Sequence, residues 1–325
     1  MRTRLDRKEL VRLLTVSDAE FLPVLEEADR VCQEQFGKQV YIRALLEFSN
    51  HCKRACKYCG LNCTNSKLAR FRMEPDAIVQ TAVQAADAGY RTIVLQSGED
   101  AWYSVQILGD IVKAIKSERP HLAVTLSCGE FPADAYQYLK QCGADRYLLK
   151  HETSDPKLYA YLHPDSSFAE RFSCLKAIKE AGLETGGGFM IGLVGQTPET
   201  IADDLLTVAS IPCDMAGVGP FLPHPDTVLR DAPHGSASLT IRAVALLRLL
   251  LPKANLPATT ALGVLDAEQK DKIFRCGANV IMQKVTPADF KKMYQIYPAK
   301  FQDYSIEEGR RQVEEEIRRV GRIPV

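Results

Sequence analysis

The sequence predicts an α/β chain folded as a (β/α)8 TIM-type barrel with an N-terminal helical cap and a C-terminal helix. Three observations predict it. Eight short apolar runs recur along 325 residues, each closed by polar or glycine-containing residues. Amphipathic stretches of helical length separate them. The runs are continuously apolar, as strands buried on both faces require, and alternation with helices implies right-handed parallel crossovers.

The elements follow in order. Ser17 and Glu20 form a capping-box pattern, and the helix they open should end near Gly37, giving an N-terminal helical extension over 1–39. The strand candidates in the first half are YIRALLEFSN (41–50), TIVLQSG (92–98), AVTLSCG (123–129) and RYLLKHE (146–152). The second half offers GGFMIGL (187–193), MAGVGPFLP (215–223), TTALGVL (259–265) and ANVIMQKV (278–285). Helices are expected between them, over 75–88 ending at Gly89 and over 168–181 ending at Gly182. The first of these has proline at its start and glycine just past its end, the usual asymmetry. The barrel then spans 40–300, with its active site at the carboxyl ends of the strands. A doubly wound open sheet is the alternative fold. The tail over 301–325, SIEEGRRQVEEEIRRVGR, reads as a solvated helix with closely spaced opposite charges.

Charge and composition exclude several classes. Lysine plus arginine equal aspartate plus glutamate at 41 each, which argues against nucleic acid or a membrane surface as partner. The opening MRTRLDRKELVRLL is charged throughout and lacks the apolar core of a secretory signal, and no later stretch is apolar enough to span a bilayer. Ten cysteines in a chain of this size are then expected as thiols or metal ligands in a reducing cytoplasm.

The strongest chemical signal is FSNHCKRACKYCG, in which Cys52, Cys56 and Cys59 form a CxxxCxxC set after the first strand. Three thiolates on one short loop can hold three irons of a cubane and leave the fourth iron open. A zinc site completed by Cys63 or His51 is the alternative. The usual zinc pattern has two separated CxxC knuckles, and a second one is absent.

This motif after strand one of a barrel resembles the signature of radical S-adenosylmethionine (SAM) enzymes. More narrowly, the chain resembles the HydE family of [FeFe]-hydrogenase maturases. The resemblance is carried by EFSNHCKRACKYCGLN, RTIVLQSGED, RYLLKHETSD, LHPDSSFAERFSCLKAIKEAG, ETGGGFMIGLVGQT, GVGPFLPHPDT, LPATTALG and RCGANVIMQKVTP, which cover about 47–300. It implies one [4Fe-4S] cluster on the three cysteines, SAM chelated at the open iron, and a 5′-deoxyadenosyl radical shielded inside the barrel.

Residue by residue, the resemblance implies that Tyr58 packs on adenine and that Gln96, Ser97, Gly98 and Glu99 receive the methionyl ammonium. Ser127 and Glu152 are implied SAM contacts, the carboxylate suiting a ribose diol. Arg171 resembles the arginine that pairs with the SAM carboxylate. The plain alternative for Glu152 and Arg171 is an ion pair at the barrel rim. Thr125, Lys150, Thr259, Thr260, Met282 and Tyr297 are implied around a lower cavity for a small anionic, amino-acid-derived or metal-carbonyl-cyanide substrate. The family position matching Lys150 is often arginine, so a bidentate carboxylate clamp is not implied.

The family further implies an iron-bound cysteine precursor, an electron donor such as ferredoxin or flavodoxin, and other hydrogenase maturases as partners. Some HydE proteins carry further C-terminal cysteines for a second cluster, whereas the last cysteine here is Cys276, so one cluster is expected. Cys128, Cys142, Cys174, Cys213 and Cys276 read as core thiols, and His163 and His224 as loop-ordering groups. Gly186, Gly187 and Gly188 read as close backbone packing, because they open a strand. A mutase of the 3-methylornithine synthase type is the nearest enzyme alternative. Biotin-synthase-like sulfur insertion would need more internal ligands, and a metal-binding scaffold without catalysis is the remaining class.

Overall fold

The computed structural model describes residues 5–298 and 303–325. Two helices come first, α1 (Arg7–Thr15) and α2 (Asp18–Phe36). Ser17 and Glu20 complete the capping box at the start of α2, and Gly37, at φ 61°, ends it. The first half of the barrel alternates β1 (Gln39–Ser49), α3 (Pro75–Asp87), β2 (Thr92–Ser97), α4 (Val105–Glu118), β3 (Ala123–Ser127), α5 (Ala133–Gln141) and β4 (Arg146–Leu148). Next come α6 (Pro156–Leu162), α7 (Phe168–Glu180), β5 (Glu184–Ile191), α8 (Pro198–Ser210), β6 (Met215–Pro220) and α9 (Ala237–Leu250). The chain continues through β7 (Pro257–Ala258), α10 (Thr260–Leu265), α11 (Ala267–Ile273), β8 (Val280–Lys284) and α12 (Ala288–Lys291). It closes with α13 (Ile306–Arg319) and β9 (Ile323–Pro324).

The strand order is β6-β5-β4-β3-β2-β1-β8-β7, and all of these ladders are parallel. A parallel bridge from Met215 to Asn255, with the Ala216 amide donating to the Asn255 carbonyl at 3.1 Å, brings β6 to the start of β7. The result is a nearly closed parallel barrel, as the apolar runs predict. Leu46, Leu95, Leu126 and Val218 are buried in one core with residues of the surrounding helices, such as Ile78, Ile115, Leu139 and Leu205. Helices α1 and α2 pack on α8 and α9. Among the described residues no helix is long and apolar enough to cross a membrane.

Two helix boundaries show how sequence sets structure. Pro75 opens α3 with its fixed φ, and Gly89 leaves it at φ 94°. Ser167 caps α7 by accepting from the Glu170 amide, and Gly182 follows at φ 78°. The glycine run in β5 has a packing cause: a Cβ on Gly188 would stand 2.1 Å from the Gly217 carbonyl oxygen of β6.

Two expectations are corrected. TTALGVL is not a strand: β7 is only Pro257–Ala258, and the apolar run winds into α10 with Ala261 and Leu262 buried. A short apolar run fits a buried helix turn as well as a strand, and periodicity alone does not separate them. The C-terminal helix is also not solvated all round. Gly309, Val313 and Ile317, spaced four apart, bury one stripe of α13, and β9 adds to β1 beyond it.

Candidate active site

The carboxyl ends of the strands open into a cavity of about 1410 Å³. Its mouth is the loop after β1. Arg70 holds that loop from within, donating to the carbonyls of Asn50, Leu61 and Asn62 at 2.6, 2.8 and 2.6 Å. Asn62 donates to the Cys59 carbonyl at 2.6 Å. Gly98 meets the loop from β2. A Cβ there would stand 2.3 Å from the His51 carbonyl oxygen and 2.7 Å from the Cys52 Cβ.

Cys52, Cys56 and Cys59 are half-buried, unpaired thiols lining this mouth. Burial pushes all three up, Cys59 to about 12, and each of Cys56 and Cys59 is raised further by a neighbouring cysteine of the set. Three such thiols resist ionising together until cations share their charge, which is the donor set an iron–sulfur cluster uses. Among the described residues no three His, Cys, Asp or Glu side chains are gathered round a single metal ion position.

Beside the thiols lies a ring of alternating charge. Arg54 Nε is 2.7 Å from Glu99 and its Nη2 is 2.5 Å from Glu130, while Arg171 Nε is 2.8 Å from Glu130 and its Nη2 is 3.7 Å from Glu99. Burial works against the Arg171 charge, but Tyr159, Glu130 and Glu99 more than offset it, so its pKa is raised. Burial raises Glu130, against the pull of Arg171 and Arg54. Glu152 lies elsewhere: its carboxylate is 2.9 Å from Lys150 Nζ. The rim pairing of Glu152 with Arg171 is therefore not the one formed.

Deeper down, the cavity meets Glu47, almost wholly buried on β1, with Lys284 Nζ at 2.8 Å. Burial raises the Glu47 pKa, and Lys284 pulls it back. Gln96 donates to the Tyr294 hydroxyl at 3.1 Å. At the floor, Arg43 Nη1 is 2.9 Å from Met215 Sδ, and burial lowers its pKa to about 10. The hydroxyls of Thr125 and Thr259 are buried without a hydrogen-bond partner.

Every residue that the resemblance implies for the cluster, SAM or substrate lines this one cavity. The three cysteines and Tyr58 are joined there by Gln96, Ser97, Gly98, Glu99, Ser127, Glu152 and Arg171. Thr125, Lys150, Thr259, Thr260, Met282 and Tyr297 line it as well. Sequence reasoning missed Arg54, Glu130, Arg43, Glu47 and Lys284. Three of them left a signal, since Arg43 and Glu47 interrupt YIRALLEFSN and Lys284 interrupts ANVIMQKV. A charge inside a strand buried on both faces must face something polar.

Three cysteines spaced CxxxCxxC over a parallel-barrel cavity define a class, and a family model, the radical SAM superfamily, matches residues 46–208. The chain belongs to that superfamily and, within it, to the HydE family of [FeFe]-hydrogenase maturases. It is 47% identical over 303 residues to the [FeFe] hydrogenase maturase subunit HydE of Thermotoga maritima, covering 91% of this chain and 86% of that one. It is also 30% identical over 294 residues to a 3-methylornithine synthase of Methanosarcina acetivorans, covering 89% and 81% of the two chains. Among solved structures, methylornithine synthase superposes with a TM-score of 0.86 at 25% identity, over 100% of this chain and 95% of that one.

Proposed function

We propose that this maturase holds one [4Fe-4S] cluster on Cys52, Cys56 and Cys59 and binds SAM above the cavity floor. Its substrate on this reading is a small anionic species derived from cysteine and iron, on the way to the hydrogenase active-site cluster. When bound, the cluster supplies the electron that splits the SAM sulfonium to yield a 5′-deoxyadenosyl radical. The chain's own residues bind, orient and exclude water.

Tyr58 packs against the cluster of Leu162, Leu193, Phe221 and Leu229 and offers an aromatic face to adenine. Glu152 suits the ribose diol. The segment from Gln96 to Glu99 receives the ammonium, and Arg171, oriented by Glu130 and Tyr159, faces the carboxylate beside Ser127. Thr125, Lys150, Thr259, Thr260, Met282 and Tyr297 then hold the substrate, where two buried hydroxyls without partners await an acceptor or donor. An electron donor such as ferredoxin or flavodoxin, other hydrogenase maturases as partners, and a reducing cytoplasm complete this reading. All the cysteines are free thiols, which fits that compartment.

The observation that carries the proposal is the convergence of the cluster, SAM and substrate residues named for it on a single cavity. Anaerobic reconstitution, reduction with dithionite and addition of SAM should give 5′-deoxyadenosine. A variant with Cys52, Cys56 and Cys59 replaced by alanine should give none. Zinc in place of iron, with no SAM cleavage, overturns the proposal. The likeness to 3-methylornithine synthases favours a second reading, a carbon-skeleton mutase. Lysine supplied under the same conditions and converted to 3-methylornithine would decide for it.

A further inference from the structure

Glu152 has a backbone that side-chain-bearing residues rarely adopt. Its φ is 65°, and across it the Thr153 amide donates back to the His151 carbonyl at 2.8 Å. This is a γ-turn of positive φ, the rare and strained form, and it persists only where its surroundings hold it. Strand β5 holds one side. The Glu152 amide donates to the Gly188 carbonyl at 3.1 Å, and the Glu152 carbonyl accepts from Met190 at 3.0 Å.

The other side is held from helix α8. Asp204, fully buried, accepts from the Ser154 amide with Oδ1, and the same oxygen is 3.3 Å from Nε2 of His151. The His151 ring is also fully buried and lies against Phe189 at 6.0 Å between centroids. Both His151 ring nitrogens, the Ser154 hydroxyl and Asp204 Oδ2 lack hydrogen-bond partners. A carboxylate buried with so few partners is costly in a helix whose neighbouring inward positions are Ile201, Leu205 and Val208. It contributes little that an apolar residue would not, except its grip on the turn.

We propose that Asp204 is a positioning residue that, through the Ser154 amide, locks the strained turn and so fixes where the Glu152 carboxylate points into the SAM site. The inference rests on the reading of Glu152 as a SAM contact. Asp204 itself does not line the cavity. Its effect therefore passes through Glu152, and the two residues should not act independently.

The test is a double-variant cycle on the anaerobically reconstituted protein, with the SAM dissociation constant measured by calorimetry. Asp204→Ala should weaken SAM about tenfold, the scale of one lost charge-assisted hydrogen bond, with kcat for 5′-deoxyadenosine at saturating SAM changed by less than about threefold. Asp204→Asn keeps an acceptor for the Ser154 amide and should stay within about threefold of wild type. In a Glu152→Gln background, which itself weakens SAM, Asp204→Ala should add almost nothing. Additive weakening overturns this inference alone, as does wild-type affinity in Asp204→Ala. Unchanged SAM binding in Glu152→Gln overturns the reading of Glu152, and this inference with it. Should Asp204→Ala fail to fold, hydrogen exchange over 151–154 in the wild type decides. Protection that rises with SAM is expected, and fast exchange unaffected by SAM overturns the proposal.

Discussion

The Tyr58 hydroxyl lies 3.0 Å from Nε2 of His163, and Nδ1 of the same ring lies 3.1 Å from the Tyr159 carbonyl oxygen. A carbonyl only accepts, so Nδ1 carries the proton and Nε2 accepts from Tyr58. The His163 ring stacks on Tyr159 at 4.2 Å, and Tyr159 in turn accepts from Arg171 Nε. The aromatic face next to the cysteines and the cation proposed for the SAM carboxylate are thus tied together through one neutral histidine.

His163→Phe keeps the stack and removes the acceptor. The KM for SAM should rise about three- to tenfold with kcat nearly unchanged, read from 5′-deoxyadenosine formation across SAM concentrations. Burial lowers the His163 pKa to about 4, below the unfolded value near 6.5. A lowered folded pKa means stability that is present above pH 6.5 and lost as pH falls towards 4, by up to about 3 kcal/mol for this one group. Urea unfolding of the cluster-free protein at pH 7 and pH 5 should show a smaller acid loss in His163→Phe than in wild type. Equal losses would place the acid sensitivity elsewhere.

Glu130 stands between two arginines, so removing it leaves Glu99 alone to balance both cations in a largely buried ring. Glu130→Ala should cost roughly 2–4 kcal/mol in urea unfolding, the scale for breaking one member of a buried charge network. Because Arg171 loses the carboxylate that orients it, SAM affinity should also fall. Glu130→Gln, which keeps the acceptor oxygen, should recover part of both. Unchanged unfolding in Glu130→Ala would show the ring to be dispensable.

Gly98 is the point where β2 presses on the cysteine loop, and its Cβ would overlap backbone rather than a flexible side chain. Gly98→Ala should therefore push the loop outward at Cys52 while leaving the barrel folded. Iron bound per chain after reconstitution should fall by half or more, with little change in circular dichroism. Full iron loading would show that the loop yields at no cost.

The barrel was legible because its strands are buried on both faces, which makes them continuous apolar runs with ends marked by polar residues and glycines. Thr92, Ala123, Arg146 and Met215 begin strands where the runs begin. The failure at TTALGVL came where β7 shrank to Pro257–Ala258 and the chain turned at once into α10, so the apolar run was one of helix turns. The cysteine loop was legible because its ligands are local in sequence. The charge ring was not, because Arg54, Glu99, Glu130 and Arg171 come from four separate loops and helices, and only the closed barrel brings them together. The γ-turn at Glu152 was hidden for a further reason: neither Glu152 nor its neighbours is a glycine or asparagine that would mark a positive φ.

The unpartnered hydroxyls of Thr125 and Thr259 separate stability from substrate binding. A buried hydroxyl without a protein hydrogen-bond partner contributes little to the fold, so an isosteric methyl costs little. Thr125→Val and Thr259→Val should unfold within about 1 kcal/mol of wild type or above it. Thr125 and Thr259 line the cavity, and a ligand that shifts either side chain enough to reach its hydroxyl gains a polar partner there. Substrate-independent cleavage of SAM should then persist in both variants, because neither residue is proposed to hold the cluster or SAM. Turnover that depends on the maturation substrate should fall at least tenfold, measured as product formed per 5′-deoxyadenosine released. A loss of stability of 2 kcal/mol or more, about the size of a lost buried hydrogen bond, would mean that these hydroxyls serve the core through a buried water. In that case the lower cavity would not be where the substrate sits.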